Sequence, residues 1–490
     1  MNIYKMKTMK SNSKETDRIK EPSKFAIKFA NTLFVLGILF SVLVMVYAVY
    51  QNINHPEMSS TFYYLFFLFS VFTAILFGFG LRRLRDELKV NISVLLVAVV
   101  ISVYGIETLL EYFHEKPLIH PESTIAIAKQ MGVPFDARTK MEVLENLKDS
   151  SINKYSNFTP SQFIKSNGLA SGDRRLFPLG GISKQTNVYR DQVGFWSIYK
   201  SDEHGFNNPK GLYKENKVDI ILTGDSFTEG YSANSDENIC AILRESGFNA
   251  INIGKGGNGP LIEFATLKEY AEPLKPKIVL WLYYVNDFDD LKNEMKSSLL
   301  KKYLDEQDFS LNLISRQEEI DSVLINYISE EWNREIEKQR VEKIINHWII
   351  RVFKLSNLRN KINLTLKPEP EPKPEPKPEQ LKIFKDILEK SKKMVSGWGG
   401  KMYFVYLPEF WRYSTGEEHI NREFILHTVN EMMIPIIDIH KEVFDPHPDL
   451  LSLFPFRMYG HYNADGYRLV AEAISKRLKA DGIIPLNSKN

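Results

Sequence analysis

The sequence is poor in the residue types that build disulfide frameworks, metal centres and strongly charged surfaces. It holds one cysteine, Cys240, among 490 residues, which excludes an internal disulfide and a zinc site made of several cysteines. Its ten histidines are scattered, and none pairs with carboxylates at a spacing typical of metal ligands. The formal net charge of +2 argues against the basic field that nucleic-acid binding needs. We therefore expect no cofactor, no metal and no nucleic-acid partner.

Three long apolar runs stand near the N-terminus. Leu33–Tyr50 and Phe62–Leu81 carry no charged residue, and Ile92–Leu110 carries one, Glu107, near its end. A helix needs roughly 20 apolar residues to cross a bilayer, which the first two runs meet well and the third meets marginally. A buried or interfacial helix is the weaker interpretation of the third run. We predict three transmembrane helices within residues 30–112, with the cell membrane as a partner.

Basic residues are unevenly distributed around these runs. The tail over residues 1–29 is rich in Lys and Arg, the connection over residues 51–60 has none, and the connection over residues 82–91 has four. The positive-inside rule places the tail and the second connection in the cytoplasm. The sequence thus predicts a multi-pass protein of the inner (cytoplasmic) membrane whose C-terminal domain is periplasmic or extracellular. If the third run does not span, that domain is cytoplasmic.

The pattern of the remaining chain alternates between strands and helices from Val218 onwards. Apolar runs rich in Val, Ile and Tyr, separated by helical segments, predict an α/β fold, a three-layer α/β/α sandwich with a flavodoxin-like parallel sheet, over residues 218–484. A charged helical insertion interrupts it at residues 288–396, and its helical pattern gives way to KPEPEPKPEPKPEQ, which favours an extended polyproline II spacer. The insertion either covers the active face or docks a partner. Residues 113–217 predict an irregular α+β lead-in segment of short strands and turns.

The stretch VDIILTGDSFTEGYS delivers a serine to the end of a buried strand. Ser226 follows Gly224 and Asp225 at a strand-to-helix junction, where free backbone N–H groups favour a developing oxyanion. A serine hydroxyl is a poor nucleophile until a base removes its proton. The tripeptide alone is also compatible with a helix cap, because Asp and Ser both favour that position. Further polar groups are needed to identify Ser226 as a nucleophile.

Three later segments bring polar groups to the same predicted edge of the sheet. INIGKGGNGP supplies backbone N–H groups, LYYVNDFDD ends a strand with Asn286, and MYGHYNADGYRLVAEAI places His461 before the last helix, which Asn463 or Asp465 can start. Each has an ordinary explanation alone, such as a turn, an Asx cap or an incidental loop histidine. Ligand sites in parallel sheets lie beyond the carboxyl ends of strands. Their joint occurrence, in order, therefore predicts a site around Ser226.

With these motifs the sequence resembles the SGNH, or GDSL, hydrolase superfamily over about Val218–Ala480. The stretch from LFPLGGIS through SDEHGFNNP is similar to the membrane-anchored bacterial members of that superfamily. The resemblance implies that Ser226 attacks an ester carbonyl while its own N–H donates to the oxyanion. It also implies that His461 is the general base.

The same resemblance implies the other oxyanion donors. Gly257 best matches the glycine of the second family block, whose backbone N–H donates, and Gly254 or Gly256 are alternatives by register. Asn286 matches the asparagine of the third block, whose side-chain amide donates. The predicted catalytic set is therefore Ser226, Gly257, Asn286 and His461.

Two positions depart from the family pattern. Tyr284 occupies the glycine position of the family's Gly-x-Asn-Asp block, which is expected to narrow the pocket. Met458 stands where the family has an acid three residues before the histidine. We expect Asp449, Asp445 or a backbone carbonyl to orient the His461 imidazole. Without a substitute, turnover is expected to be slow, because losing the acid of a Ser-His-Asp triad costs about four orders of magnitude.

The resemblance implies a membrane-anchored serine esterase that hydrolyses an acylated glycan or lipid through an acyl-enzyme. One alternative is an O-acyltransferase that passes acyl groups from a membrane-bound acyltransferase partner to a surface polysaccharide. Another is a non-catalytic SGNH-like assembly or binding module, which Met458 and Tyr284 favour. Nucleotide binding is a weaker alternative. The Gly254, Gly256 and Gly259 spacing fits a dinucleotide fingerprint, but it follows the second strand instead of the first.

Overall fold

The computed structural model describes residues 21–54, 60–113, 127–136, 138, 140–146, 154–188, 194–214, 217–345, 348–359, 361, 378–415, 421–458 and 460–485. Most of the predicted basic tail, part of the connection after the first apolar run, and most of the proline-rich segment lie outside these residues. The chain divides into two compact units. One comprises Met1–Glu115 and Val341–Pro368, and the other comprises Lys116–Arg340 and Glu369–Asn490.

The helices and strands are numbered in chain order. The helices are α1 Lys24–Asn54, α2 Ser60–Arg83, α3 Asp86–Tyr112, α4 Lys140–Asn146, α5 Ser226–Glu229, α6 Ile239–Glu245, α7 Pro260–Thr266, α8 Asp287–Glu294, α9 Ser298–Asp305, α10 Gln317–Ile345, α11 Trp348–Phe353, α12 Pro378–Gly397, α13 Phe410–Ser414, α14 Asn421–Glu431 and α15 Ala464–Ala480. The strands are β1 Lys154–Ser156, β2 Leu169–Ser171, β3 Arg174–Leu176, β4 Thr186–Val188, β5 Ile198–Lys200, β6 Ile220–Thr223, β7 Ala250–Asn252, β8 Ile278–Tyr283, β9 Lys401–Tyr406 and β10 Ile436–Asp438. Short 3-10 turns cover Pro160–Phe163, Leu313–Arg316, Leu450–Leu453 and Pro455–Arg457, and π turns cover Leu267–Ala271 and His440–Phe444.

Helices α1, α2 and α3 are long and apolar enough to cross a membrane, over Lys24–Tyr50, Tyr63–Arg83 and Asp86–Tyr112. Most of their apolar side chains are exposed, which favours lipid surroundings. The connection predicted between the second and third runs is reduced to Leu84 and Arg85, because both helices extend into it.

Helices α1 and α2 pack closely through small residues. A side chain at Gly37 would meet the ring of Phe77 at 2.8 Å. The rings of Phe34 and Phe77 form an edge-to-face pair with centroids 5.6 Å apart. The hydroxyls of Ser41 and Thr73 lie 3.0 Å apart. Small residues and interhelical hydrogen bonds are typical of helix pairs in membranes.

The second unit is built on a five-stranded parallel sheet in the order β10-β9-β8-β6-β7. Counted along the chain, this is the 2-1-3-4-5 order of flavodoxin-like folds. Side chains of β8 alternate between two cores: Trp281 and Tyr283 enter one, and Leu280 and Leu282 enter the other. Helices pack on both faces of the sheet. The predicted α/β sandwich with a parallel sheet is therefore confirmed.

Helices α7 and α12 contribute to the first core, and α6 and α15 to the second. Cys240 of α6 is buried in the second core. Among the described lead-in residues, β1, β4 and β5 form a small sheet, and β2 pairs with β3 in an antiparallel hairpin.

The topology places a crevice beyond the end of β6. The chain leaves β6 for β7 on one side and then crosses to β8 on the other. Strand order therefore reverses between β6 and β8, and ligands of such sheets bind outside the carboxyl ends of the strands at this point. Ser226 follows β6, and Asn286 follows β8.

Candidate active site

A tight turn after β6 presents Ser226. Gly224 has φ +154°, and a Cβ there would lie 2.1 Å from the hydroxyl oxygen of Thr228. The Asp225 side chain caps α5 by accepting the N–H of Phe227 at 2.9 Å. The helix-cap role considered for this tripeptide thus belongs to Asp225. Ser226 becomes the first residue of α5 and is partly exposed.

The hydroxyl of Ser226 lies 2.7 Å from Nε2 of His461. The imidazole stacks on Tyr231, with ring centroids 4.9 Å apart, and packs against Phe227 at 4.5 Å. Both aromatic rings come from the segment that follows Ser226, and the hydroxyl of Tyr467 donates to the carbonyl of Tyr231. Aromatic packing therefore constrains the imidazole beside the hydroxyl whose proton it could accept.

Asp449, one of the acids expected to orient His461, is occupied elsewhere. Its two carboxylate oxygens accept from the guanidinium of Arg457 at 2.5 and 2.9 Å. This hydrogen-bonded pair lowers the pKa of Asp449. Met458 is partly buried at the position where the family has its acid.

Asn286 lies at the start of α8, beside the capping residue of α5. Its side-chain N–H group donates to Asp290 at 2.7 Å, and the amide also hydrogen-bonds Asp225. The amide oxygen of Asn286 is buried without a hydrogen-bond partner among the described residues. Asn286 therefore lies next to Asp225, the residue before Ser226, and its side-chain amide is hydrogen-bonded to the carboxyl groups of Asp225 and Asp290. An oxyanion would have to compete for this donor.

A group of buried acids lies around Asn286 and was missed by sequence reasoning. Burial raises the pKa of Asp225 to about 6, although hydrogen bonds from Phe227 and Asn286 oppose the shift. The side-chain carboxyl oxygens of Glu263 and Asp287 have no hydrogen-bond partner among the described residues. Burial, together with the nearby negative charges, raises their pKa values well above the usual range, which favours the protonated forms. The acidic run NDFDD, residues 286–290, was the one sequence signal for acids near Asn286.

The loop after β7 offered three candidate oxyanion donors. The N–H of Gly254 donates to the side chain of Asn252 at 2.8 Å, and the N–H of Gly256 donates to Glu229 at 2.5 Å. These two groups are therefore engaged within the protein, which leaves Gly257 as the candidate donor among the three. Gly257 has φ +70°, and a Cβ there would lie 2.7 Å from the hydroxyl of Ser161.

The glycine loop is tied to the turn that presents Ser226 and, at its far end, to α8. The N–H of Lys255 and the side-chain amide of Asn258 donate to the carbonyl of Gly224 at 3.3 and 3.4 Å. At the far end, Glu294 accepts the N–H groups of Gly259 and Leu261 at 2.6 and 2.9 Å. Burial raises the pKa of Glu294 to about 8.

A buried ion pair supports the same loop. Lys255 lies 2.7 Å from Glu229, and both side chains are almost completely buried. Asn157 and Tyr199 from the lead-in segment hydrogen-bond this pair. Burial and the charge of Glu229 raise the pKa of Tyr199. Sequence reasoning assigned no chemistry to the lead-in segment, because nothing local in the sequence shows that it reaches Glu229.

Tyr284, which was expected to narrow the pocket, is almost completely buried. It is 8% exposed and belongs to the second core, where its ring lies 4.3 Å from that of Phe227. Phe227 also contacts His461. Tyr284 therefore packs behind one of the two aromatic rings that contact the imidazole.

No family model and no curated protein matches the chain. Several solved structures match part of the chain at low sequence identity. A G-D-S-L family protein from Desulfitobacterium hafniense matches at 13% identity and TM-score 0.30, over 53% of this chain and 98% of its own. An acetyl xylan esterase matches at 13% identity and TM-score 0.29, over 53% and 100% of the two chains. A two-domain esterase active on acetylated mannans matches at 13% identity and TM-score 0.28, over 54% and 49%.

Proposed function

We propose that this protein is a serine esterase in which Ser226 is the nucleophile and His461 the general base. The observation that carries the proposal is the 2.7 Å separation between the Ser226 hydroxyl and Nε2 of His461. The two side chains lie 235 residues apart in the sequence and meet at the topological switch point of the sheet. A nucleophile and a base within hydrogen-bond reach are the minimum for acyl transfer.

In the proposed reaction, Nε2 of His461 takes the hydroxyl proton as Ser226 Oγ bonds to the carbonyl carbon of the ester. The carbonyl electron pair moves onto its oxygen. Collapse of this intermediate breaks the bond to the alcohol, which leaves with the proton from His461. Water then attacks the acyl-enzyme by the same route and releases a carboxylic acid.

Backbone N–H groups are the proposed oxyanion donors. The N–H of Ser226 and the N–H of Gly257 are the two candidates, and the Asn286 amide is a third that must first weaken its bond to Asp290.

The proposed substrate is an acyl ester of a glycan or lipid at the membrane. Helices α1, α2 and α3 are the proposed spans, and the basic side chains at the junction of α2 and α3 favour a cytoplasmic location for that junction. The C-terminal domain is accordingly proposed to lie on the periplasmic or extracellular side of the inner membrane.

The test is esterase activity of the full chain in detergent, with nitrophenyl esters of short acyl groups as substrates. We expect Ser226→Ala to lower kcat by about three orders of magnitude or more. Ser396→Ala, an exposed serine of α12, is the matched control and should leave the rate unchanged. Equal activity in Ser226→Ala and in the unaltered protein would reject the proposal.

The O-acyltransferase alternative shares every step up to the acyl-enzyme and differs in the acceptor. Adding sugar alcohols to the same assay separates the two functions. Acyl transfer to the sugar at the expense of hydrolysis would favour the transferase and a membrane-bound acyl donor partner.

A further inference from the structure

The third apolar helix carries an acid that is completely buried, and a distant part of the chain covers it. Glu107 of α3 is 0% exposed. One of its oxygens accepts the backbone N–H and the side-chain amide of Asn357 at 2.8 and 3.1 Å. The other accepts the N–H of Leu358 at 2.8 Å. Residues 348–359, which belong to the charged insertion, thus satisfy both oxygens of an acid in a candidate membrane span.

One helical turn later, Glu111 is held by the same segment. Arg351 donates to both of its oxygens at 3.0 and 3.1 Å, and Asn357 donates to one of them at 2.6 Å. Arg351 also donates to the side-chain oxygen of Asn357 at 3.1 Å. Acids in a lipid environment are costly unless they are paired and hydrogen-bonded. The segment supplies these partners for both acids.

The segment also carries exposed apolar side chains, one of which, Phe353, has its ring centroid 6.5 Å from that of Tyr104 in α3. Trp348, Ile349 and Phe353 of α11 are 58%, 53% and 76% exposed. At about 100° per residue, they lie within an arc of about 140°, and Arg351 falls outside it. Helix α11 is therefore amphipathic: Arg351 binds α3, and the three apolar side chains are each more than half exposed.

We propose that α11 lies at the membrane interface and buries its apolar face in the phospholipid bilayer. The proposal rests on the proposed membrane anchoring of α1 to α3. Lipid is the expected partner of this apolar face because of where the helix lies. Helix α11 packs on α3, whose own apolar side chains are exposed and which is long enough to cross a membrane. A tryptophan on the apolar face and basic side chains on the polar face are typical of interfacial helices. A segment of the insertion thereby becomes a fourth element in contact with lipid.

The test is site-directed spin labelling of the full chain in phospholipid vesicles. The buried native cysteine is first replaced by Cys240→Ala, and single labels are placed with Ile349→Cys and Phe353→Cys. Phe69→Cys in α2 is the lipid reference, because Phe69 is 65% exposed there. Lys479→Cys near the end of α15 is the aqueous reference. Collision rates are measured with oxygen, which prefers lipid, and with a neutral nickel chelate, which prefers water.

We expect labels at 349 and 353 to collide more with oxygen than with nickel, as the label at 69 does, and the label at 479 to show the reverse. Nickel-dominated collisions at 349 and 353, with a lipid-like label at 69, would overturn this inference while the spans stand. Protection from both reagents at 349 and 353 would indicate a protein partner and also overturn it. A water-exposed label at 69 would instead contradict the membrane anchoring itself.

Discussion

The Ser226 hydroxyl and the His461 imidazole owe their contact to neighbours that sequence motifs do not include. The ring of His461 contacts both Phe227 and Tyr231, so aromatic packing constrains it. Motif matching selected Ser226, Asn286 and His461 because these residue types follow successive strands. It could not select Asn157 or Tyr199, because their contribution depends on tertiary contacts with a buried ion pair.

The conformation of Gly257 provides the first prediction at the residue scale. In Gly257→Ala, the new Cβ meets Ser161 and strains a left-handed backbone, which displaces the proposed oxyanion donor. We expect kcat to fall about 100-fold with little change in KM, since a shift of 1 Å can cost that much. Gly211→Ala is the control, because φ is +82° there and nothing lies within 4 Å of the added Cβ. Equal losses in both variants would mean that only backbone strain matters.

The buried pair of Glu229 and Lys255 gives the second prediction. Glu229→Gln leaves a buried lysine without its counter-charge, and Lys255→Met leaves a buried carboxylate without its cation. Each change should lower the free energy of unfolding by roughly 3–5 kcal/mol. The double variant should lose less than the sum of the two losses, because neither charge is then left alone. Chemical unfolding of all four proteins measures the coupling, and strictly additive losses would contradict it.

Elements were predicted well where burial imposed a continuous apolar pattern. Strands β6 and β8 are fully buried and were visible as apolar runs. Helices α1, α2 and α3 were visible because each is long and apolar enough to cross a membrane. The docking of residues 348–359 on α3 could not be predicted, since nothing in the sequence links Glu107 to Asn357, 250 residues away. The hydrogen bonds between Glu107 and Asn357 form only in the folded chain, and no local sequence pattern indicates them.

This docking yields a prediction at the scale of the element. Glu107→Leu removes the acceptor for the N–H groups of Asn357 and Leu358, so residues 348–359 should be held less tightly on α3, by the bonds to Glu111 alone among the two acids. Trypsin should then cleave after Arg351 or Lys354 faster than in the unaltered chain. Glu87→Leu, at an exposed acid in the first turn of α3, is the control. An unchanged cleavage rate at these positions would show that Glu107 does not hold the segment.

At the scale of the whole molecule, the sheet order explains why one edge collects the polar groups. The reversal between β6 and β8 opens a crevice, and the glycine loop after β7 reaches it through hydrogen bonds to Gly224. Parallel topology was predictable from the alternation of strands and helices. The acids buried beneath the crevice were not, because the exposure of an acid depends on the complete packing of the molecule.

The buried acid Glu294 is expected to make the stability of the fold fall as the pH rises. The pKa of Glu294 is about 8 in the folded protein and 4.5 in the unfolded chain. Between these values the folded state binds more protons, so the free energy of unfolding falls as the pH rises. Glu294→Gln removes the titration and should flatten the decline in Tm between pH 4.5 and 8. Glu472→Gln, at an exposed acid of α15, should keep the original slope. Parallel curves for Glu294→Gln and the unaltered protein would contradict this prediction.

The most direct measurement of the central claim is covalent labelling of the full chain by a fluorophosphonate, which reports an activated serine without requiring the natural substrate. We expect one adduct, on the peptide that carries Ser226. The labelling rate should be about 100-fold or more slower in His461→Ala and unchanged in His427→Ala, which alters an exposed histidine. An adduct on another serine, or undiminished labelling of His461→Ala, would contradict the assignment of Ser226 and His461 as nucleophile and base.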